Sequence, residues 1–143
     1  MTLALLAVAI AAALVGSVLA GEVANAAGKK SAVVKTAQNA MLDRTIVVNR
    51  RGLSLYTLSA ETRGRFICVD RYCLSLWRPL VVARGTQPTG APSLGTVRRP
   101  NGKTQVTYRG RPLYRFIEDS EPGDVNGEGF RDVGVWHAAV VRR

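Results

Sequence analysis

Gly52-Leu53-Ser54-Leu55-Tyr56-Thr57-Leu58 lies over Gly110-Arg111-Pro112-Leu113-Tyr114-Arg115-Phe116 at an offset of 58 residues, with Gly, Leu and Tyr identical and an apolar residue closing both runs. A second match, Trp77-Arg78-Pro79-Leu80-Val81-Val82 over Trp136-His137-Ala138-Ala139-Val140-Val141, falls at an offset of 59. Two separate matches at nearly one offset mark an internal repeat. The copies span 44–82 and 103–141, and a Gly/Pro-rich stretch from Arg84 to Gly95 joins them.

Within each copy the period is that of strands. Ile46-Val47-Val48 runs into the turn Arg50-Arg51-Gly52, and Leu53 to Leu58 returns. The second copy repeats this with Gln105 to Tyr108, a turn at Arg109-Gly110, and Pro112 to Ile117. Pro100-Asn101-Gly102 supplies a further hairpin turn, because Asn-Gly tolerates positive φ. Alternation puts Tyr114 with Phe116, Tyr56 with Leu58, Trp136 with Ala138 and Val140, and Trp77 with Pro79 and Val81 on common faces. The simplest packing sends both Tyr and both Trp into one shared core. The fold class expected is therefore all-β and antiparallel, two pseudo-symmetric repeats packed as a small sandwich or barrel.

An apolar helix precedes this domain. Leu3 to Ala20 carries no charge and reads as an export signal, with Ala24-Asn25-Ala26 in the A-x-A form of a cleavage site. As a helix the run spans roughly 27 Å, so an uncleaved anchor is the alternative reading. Residues 1–26 are assigned to the signal, 27–43 to a flexible arm or frayed helix, and 44–141 to a single β domain.

The 143 residues suit one domain, and 20 Lys+Arg against 10 Asp+Glu give a formal charge of +10. Cleavage after Ala26 removes Glu22 and no basic residue, so the mature chain is more basic still. A surface of this charge attracts anionic lipid, cell-wall polymer or nucleic acid through counterion release. The arginines are spread from Arg44 to Arg143 rather than blocked together, which also fits a compositional bias.

Cys68 and Cys73 are the only cysteines. In an exported chain this pair implies one disulfide, and the C-x4-C spacing is not that of a redox motif. The one acidic island runs from Glu118 to Glu128, and Asp124, Asn126 and Glu128 stand at the one, three and five positions of a calcium loop. Position twelve, Val135, cannot supply the bidentate carboxylate, so a turn-rich connecting loop competes with a metal site.

These residues resemble a bacterial family of secreted repeats of unknown function, also described as predicted lipoproteins with a Y-x-[FWY]-x-x-D motif. Tyr114-Arg115-Phe116-Ile117-Glu118-Asp119 fits that motif, and Pro122 to Gly127 and Gly134-Val135-Trp136 look like the family's second copy. Cys68, Cys73, Trp77 and Pro79 resemble the cysteine pair and W-x-P segment of its first copy. The first-copy motif departs, with Leu58 for the aromatic and Glu61 for the Asp. No Cys follows the apolar run, so the lipid anchor is not carried over. The resemblance implies no established activity.

Tyr and the aromatic at i and i+2 share a strand face, whereas Asp at i+5 has the opposite parity. The motif therefore reads as a folding signature, with Asp119 accepting backbone N–H bonds where the strand turns into the loop. There is no G-x-S-x-G, H-E-x-x-H or phosphate loop, and His137 is a lone His, so no enzyme and no cofactor are expected. The expected product is a non-catalytic, monomeric binding or structural module with a basic surface. It is exported to the cell envelope, cell wall or medium, and its partner is an anionic envelope polymer or another envelope protein. It touches the membrane only through an uncleaved N-terminal segment. The alternative is a calcium or small-ligand binder using loop 118–128.

Overall fold

A computed structural model describes residues 30–142. The chain order is β1 (Lys30–Ala32), β2 (Val34–Asn39), β3 (Arg44–Asn49), β4 (Tyr56–Leu58), α1 (Arg71–Leu76), β5 (Trp77–Pro79), β6 (Val81–Val82), β7 (Gln87–Thr89), β8 (Leu94–Arg98), β9 (Thr104–Tyr108), β10 (Arg111–Pro112), β11 (Tyr114–Phe116) and β12 (Trp136–Ala138). The architecture is mostly β and antiparallel; β1 and β7 pair in parallel. The central sheet has the order β12-β4-β11-β5, and a second sheet gathers β6, β8 and β10 around β9. The sheets stay open, so the barrel alternative does not hold: β12 and β5 end opposite edges of the central sheet.

The strands pair crosswise. Tyr56 of β4 is opposite Tyr114 of β11 at the centre of the sheet. On one side Tyr114 faces Pro79 and Phe116 faces Trp77. On the other Tyr56 faces Ala138 and Leu58 faces Trp136. The second set is the first moved by 58 or 59 residues with the copies exchanged. Backbone bonds obey the same rule: Leu55 N–H to Val47 O, Val47 N–H to Ala139 O and Ala139 N–H to Leu55 O recur as Leu113 to Val106, Val106 to Leu80 and Leu80 to Leu113. The terminal Trp strand of each copy thus completes the sheet of the other, and a three-residue strand has too few ladder bonds to stand alone.

Two apolar clusters flank this arrangement. Tyr56, Tyr114, Trp77, Trp136 and Phe116 are buried together in the first. Trp77 and Trp136 stack with centroids 3.8 Å apart and planes 8° off parallel. Tyr56 meets Trp77 edge-on at 5.4 Å, and Tyr114 meets Trp136 edge-on at 5.1 Å. Each ring removes about 150–250 Å² from water, an upper bound of several kcal/mol apiece, beyond which such pairs add about 0.5–1.5 kcal/mol. Leu55, Leu113, Val47, Val106 and Ala139 form the second cluster on the opposite parity.

Four expectations are corrected. Most of the stretch taken as a flexible arm is strand: β2 pairs with β3 along its whole length, from Val34 opposite Asn49 to Asn39 opposite Arg44. Val34 is buried and joins the second cluster, an apolar contact that ties this segment to the domain. The linker also carries structure, since β7 pairs with β1 and β8 is already on β9 from Leu94. A short helix, α1, starts between the two cysteines, includes Cys73 and ends before Trp77; Asp70 caps it by accepting the Cys73 N–H at 2.9 Å. Finally, Val81 is exposed, because the chain leaves strand geometry at Leu80 and parity does not carry across the break. The signal or anchor assigned to 1–26 lies outside the described residues.

Candidate functional site

Three groups of residues singled out by sequence have distinct fates. The motif residues go to the interior. β11 ends at Phe116, and the turn that follows brings Asp119 back under the sheet, where it is 1% exposed. Its Oδ2 accepts the Tyr56 hydroxyl at 2.6 Å and its Oδ1 accepts the Asn126 N–H at 3.0 Å. Glu61 holds the matching place in the first copy. It accepts the Ile67 and Cys68 N–H groups at 2.8 and 2.9 Å and the Tyr114 hydroxyl at 2.9 Å. Each copy's tyrosine therefore donates to the other copy's carboxylate. Burial, foremost, and the facing carboxylate raise both phenols well above their ordinary value of 10.0.

A buried arginine completes the Tyr114–Glu61 pair. Arg99 Nη1 donates to the Tyr114 hydroxyl at 3.0 Å and to Gln105 Oε1, and Nη2 donates to Cys68 O at 2.7 Å. Its guanidinium lies over the Phe66 ring at 4.8 Å. Neither Arg99 nor Gln105 stands out in the sequence: Arg99 follows β8 at the edge of a turn and Gln105 lies in β9, and alternation alone assigns neither a partner. Cys68 and Cys73 are joined in a disulfide, with Cα atoms 5.4 Å apart, and both are buried.

The acidic loop does not gather its ligands. Asp124 Oδ2 accepts the Ser120 and Glu121 N–H groups at 2.8 and 3.0 Å. Asn126 donates from Nδ2 to Glu118 O. Glu128 turns to β12: Oε2 accepts the Ala138 N–H at 2.6 Å and Oε1 lies 2.9 Å from His137 Nδ1. Among the described residues no group of three or more His, Cys, Asp or Glu stands close enough to hold a metal. Asp124 thus accepts N–H groups of its own turn and Glu128 one from β12, as Asp beside Gly does in turns without an ion.

A recess beside β12 collects side chains far apart in sequence. It holds about 610 Å³, and its rim includes Arg44, Arg109, Arg111 and Arg142 around the Glu128–His137 pair. Leu42, Ala138 and Val140 supply apolar wall. Arg44 opens β3, Arg109 forms the β9–β10 turn at φ 50, Arg111 lies in β10, and Arg142 follows β12. Arg111 Nη1 is pinned by the carbonyls of Ser59 and Glu61 at 3.0 and 2.9 Å. Among the described residues His137–Glu128 is the one ion pair, so none of these arginines is matched by a carboxylate. The recess can hold an oxyanion; its lining also includes Ser59 and Thr57, the cross-strand partner of His137.

Residues 95–140 match the model of a family described as a secreted repeat of unknown function. No curated protein and no solved structure matches the chain. Among the described residues no helix is long and apolar enough to cross a membrane.

Proposed function

We propose that this chain, which carries a secreted repeat, is a non-catalytic envelope module that binds an anionic polymer through its arginine recess. In this reading the two repeats form one monomeric scaffold, and the Tyr–carboxylate and Trp–Trp contacts serve the scaffold alone. The observation that carries it is the convergence of Arg44, Arg109, Arg111 and Arg142 on one recess without a carboxylate partner among them. Arginine suits the task, since its planar fork meets carboxylate and phosphate oxygens two at a time. The match of residues 95–140 to a secreted repeat supports export, and an exposed cationic recess then faces the anionic polymers of the envelope.

The test is retention of the folded protein on a polygalacturonate or polyphosphate matrix. Binding should weaken steeply as salt rises from about 50 to 200 mM, because condensed counterions are released on binding. The triple variant R44E/R109E/R142E should elute at distinctly lower salt than the unmodified chain. Equal retention of both proteins, or retention indifferent to salt, would remove the proposal.

A further inference from the structure

We infer that Glu128 is a resident anion in the arginine recess, occupying the subsite into which an oxyanion group of the polymer binds. The inference rests on the proposed polymer site and adds its point of attachment and its regulation. On the side of β12 away from β4, the Trp136 N–H and carbonyl are paired with Phe130 O and Gly129 N–H. The next donor along that edge is the Ala138 N–H, and the group it meets is a carboxylate, Glu128 Oε2. Oε1 of the same group lies against His137 Nδ1. The Ala138 N–H thus holds one oxygen of the carboxylate and the His137 ring lies against the other, in a recess whose lining includes four arginines, as a carboxylate or phosphate of the polymer would be held.

The occupant is positioned to leave. The Glu128 side chain is 31% exposed and that of His137 53% exposed. The backbone at this point is fixed independently by Glu128 N–H to Val125 O at 3.0 Å and Gly129 N–H to Trp136 O at 2.9 Å. Rotation of one side chain therefore vacates the subsite without moving the loop. The first copy has no such subsite: Pro79 stands where Ala138 does and lacks an N–H, and Arg78 replaces His137. Of the two copies, only the second presents this amide and imidazole together.

The experiment compares the full chain with E128Q and with E118Q, which removes the same charge from an exposed position outside the recess rim. Binding is measured to polygalacturonate, which offers carboxylates, and to polyphosphate, which offers phosphates. Expected is binding about three- to fivefold tighter for E128Q on at least one polymer, with E118Q close to the unmodified chain. The polymer that gains identifies the favoured oxyanion. Ala138 amide and His137 ring resonances should shift on saturation, a readout that a change in bulk charge does not produce. Unmodified protein that binds while E128Q gains nothing over E118Q overturns this inference and leaves the polymer reading standing. Binding by none of the three proteins overturns both. Equal melting temperatures for E128Q and the unmodified chain exclude misfolding as the cause of either result.

Discussion

Tyr56 and Asp119, 63 residues apart in sequence, share a buried hydrogen bond of 2.6 Å, and Tyr114 and Glu61 share its counterpart with the copies exchanged. The two bonds lock one half of the domain to the other at both ends of the aromatic cluster. The hydroxyl and carboxylate of each pair are out of water, so either one left alone bears a desolvation cost.

Tyr56→Phe should therefore lower stability by about 1–3 kcal/mol, since it leaves Asp119 Oδ2 without its hydroxyl donor. In a cycle with Asp119→Asn, the two changes should couple by at least about 0.5 kcal/mol, as contacting groups do. Urea unfolding of the four proteins measures this. Strictly additive losses would mean that the bond contributes nothing specific.

Arg99→Lys is expected to cost about 2–3 kcal/mol despite keeping the charge, because an ammonium cannot reach Gln105, Tyr114 and Cys68 O together or stack on Phe66. The same urea titration reads it. A midpoint indistinguishable from the parent would show that charge alone suffices there.

Stability should hold from neutral pH to about 10 and decline above it. The folded phenols of Tyr56 and Tyr114 lie above the unfolded value of 10.0, raised by burial and then by their carboxylate partners. Above that pH only the unfolded chain releases these protons, which draws the equilibrium toward it. The acid side has the opposite sign. The Glu121 and Ser120 N–H groups hold Asp124 below its ordinary 3.8, so its contribution is present above that pH and fades as pH falls through the folded value. Tyr56→Phe should flatten the alkaline limb, and Asp124→Asn should flatten part of the acid limb. Thermal melts from pH 3 to 11 decide both.

Gly127→Ala should be the costlier of two loop substitutions. A Cβ there falls 2.7 Å from Trp77 Cη2 and 3.1 Å from Tyr56 Cε1, so the packed rings must shift, at about 1–3 kcal/mol. Gly123→Ala meets nothing within 4 Å but sits at φ +101, and carries only the backbone penalty of about 1–2 kcal/mol. Near-UV circular dichroism separates them: only the change at Gly127 should alter the tryptophan signal.

Reduction of Cys68–Cys73 should lower stability by about 2 kcal/mol, the loop-closure contribution of so short a ring. A C68S/C73S chain unfolded in urea with and without reductant provides the check; a reductant effect persisting in that variant would place its cause elsewhere.

The repeat, the parity of Tyr56, Tyr114, Trp77 and Trp136, and the Cys pair were legible because each depends on residues close in sequence or on one fixed offset. A strand alternates every second residue whatever it later packs against. Loop 118–128 shows the limit of spacing for a related reason: it records which acidic groups are near one another, but not that Asp124 and Glu128 accept N–H groups of the turn and of β12.

Sequence by itself thus determined the local alphabet: two copies, short strands and a strongly basic chain. Only the tertiary structure decided that β5 pairs with β11 and β12 with β4, that each tyrosine meets the other copy's carboxylate, and that Arg44, Arg109, Arg111 and Arg142 share one recess. The physical reason is that strand exchange and charge convergence are set by contacts between segments tens of residues apart. Their energy appears only once the chain has closed on itself.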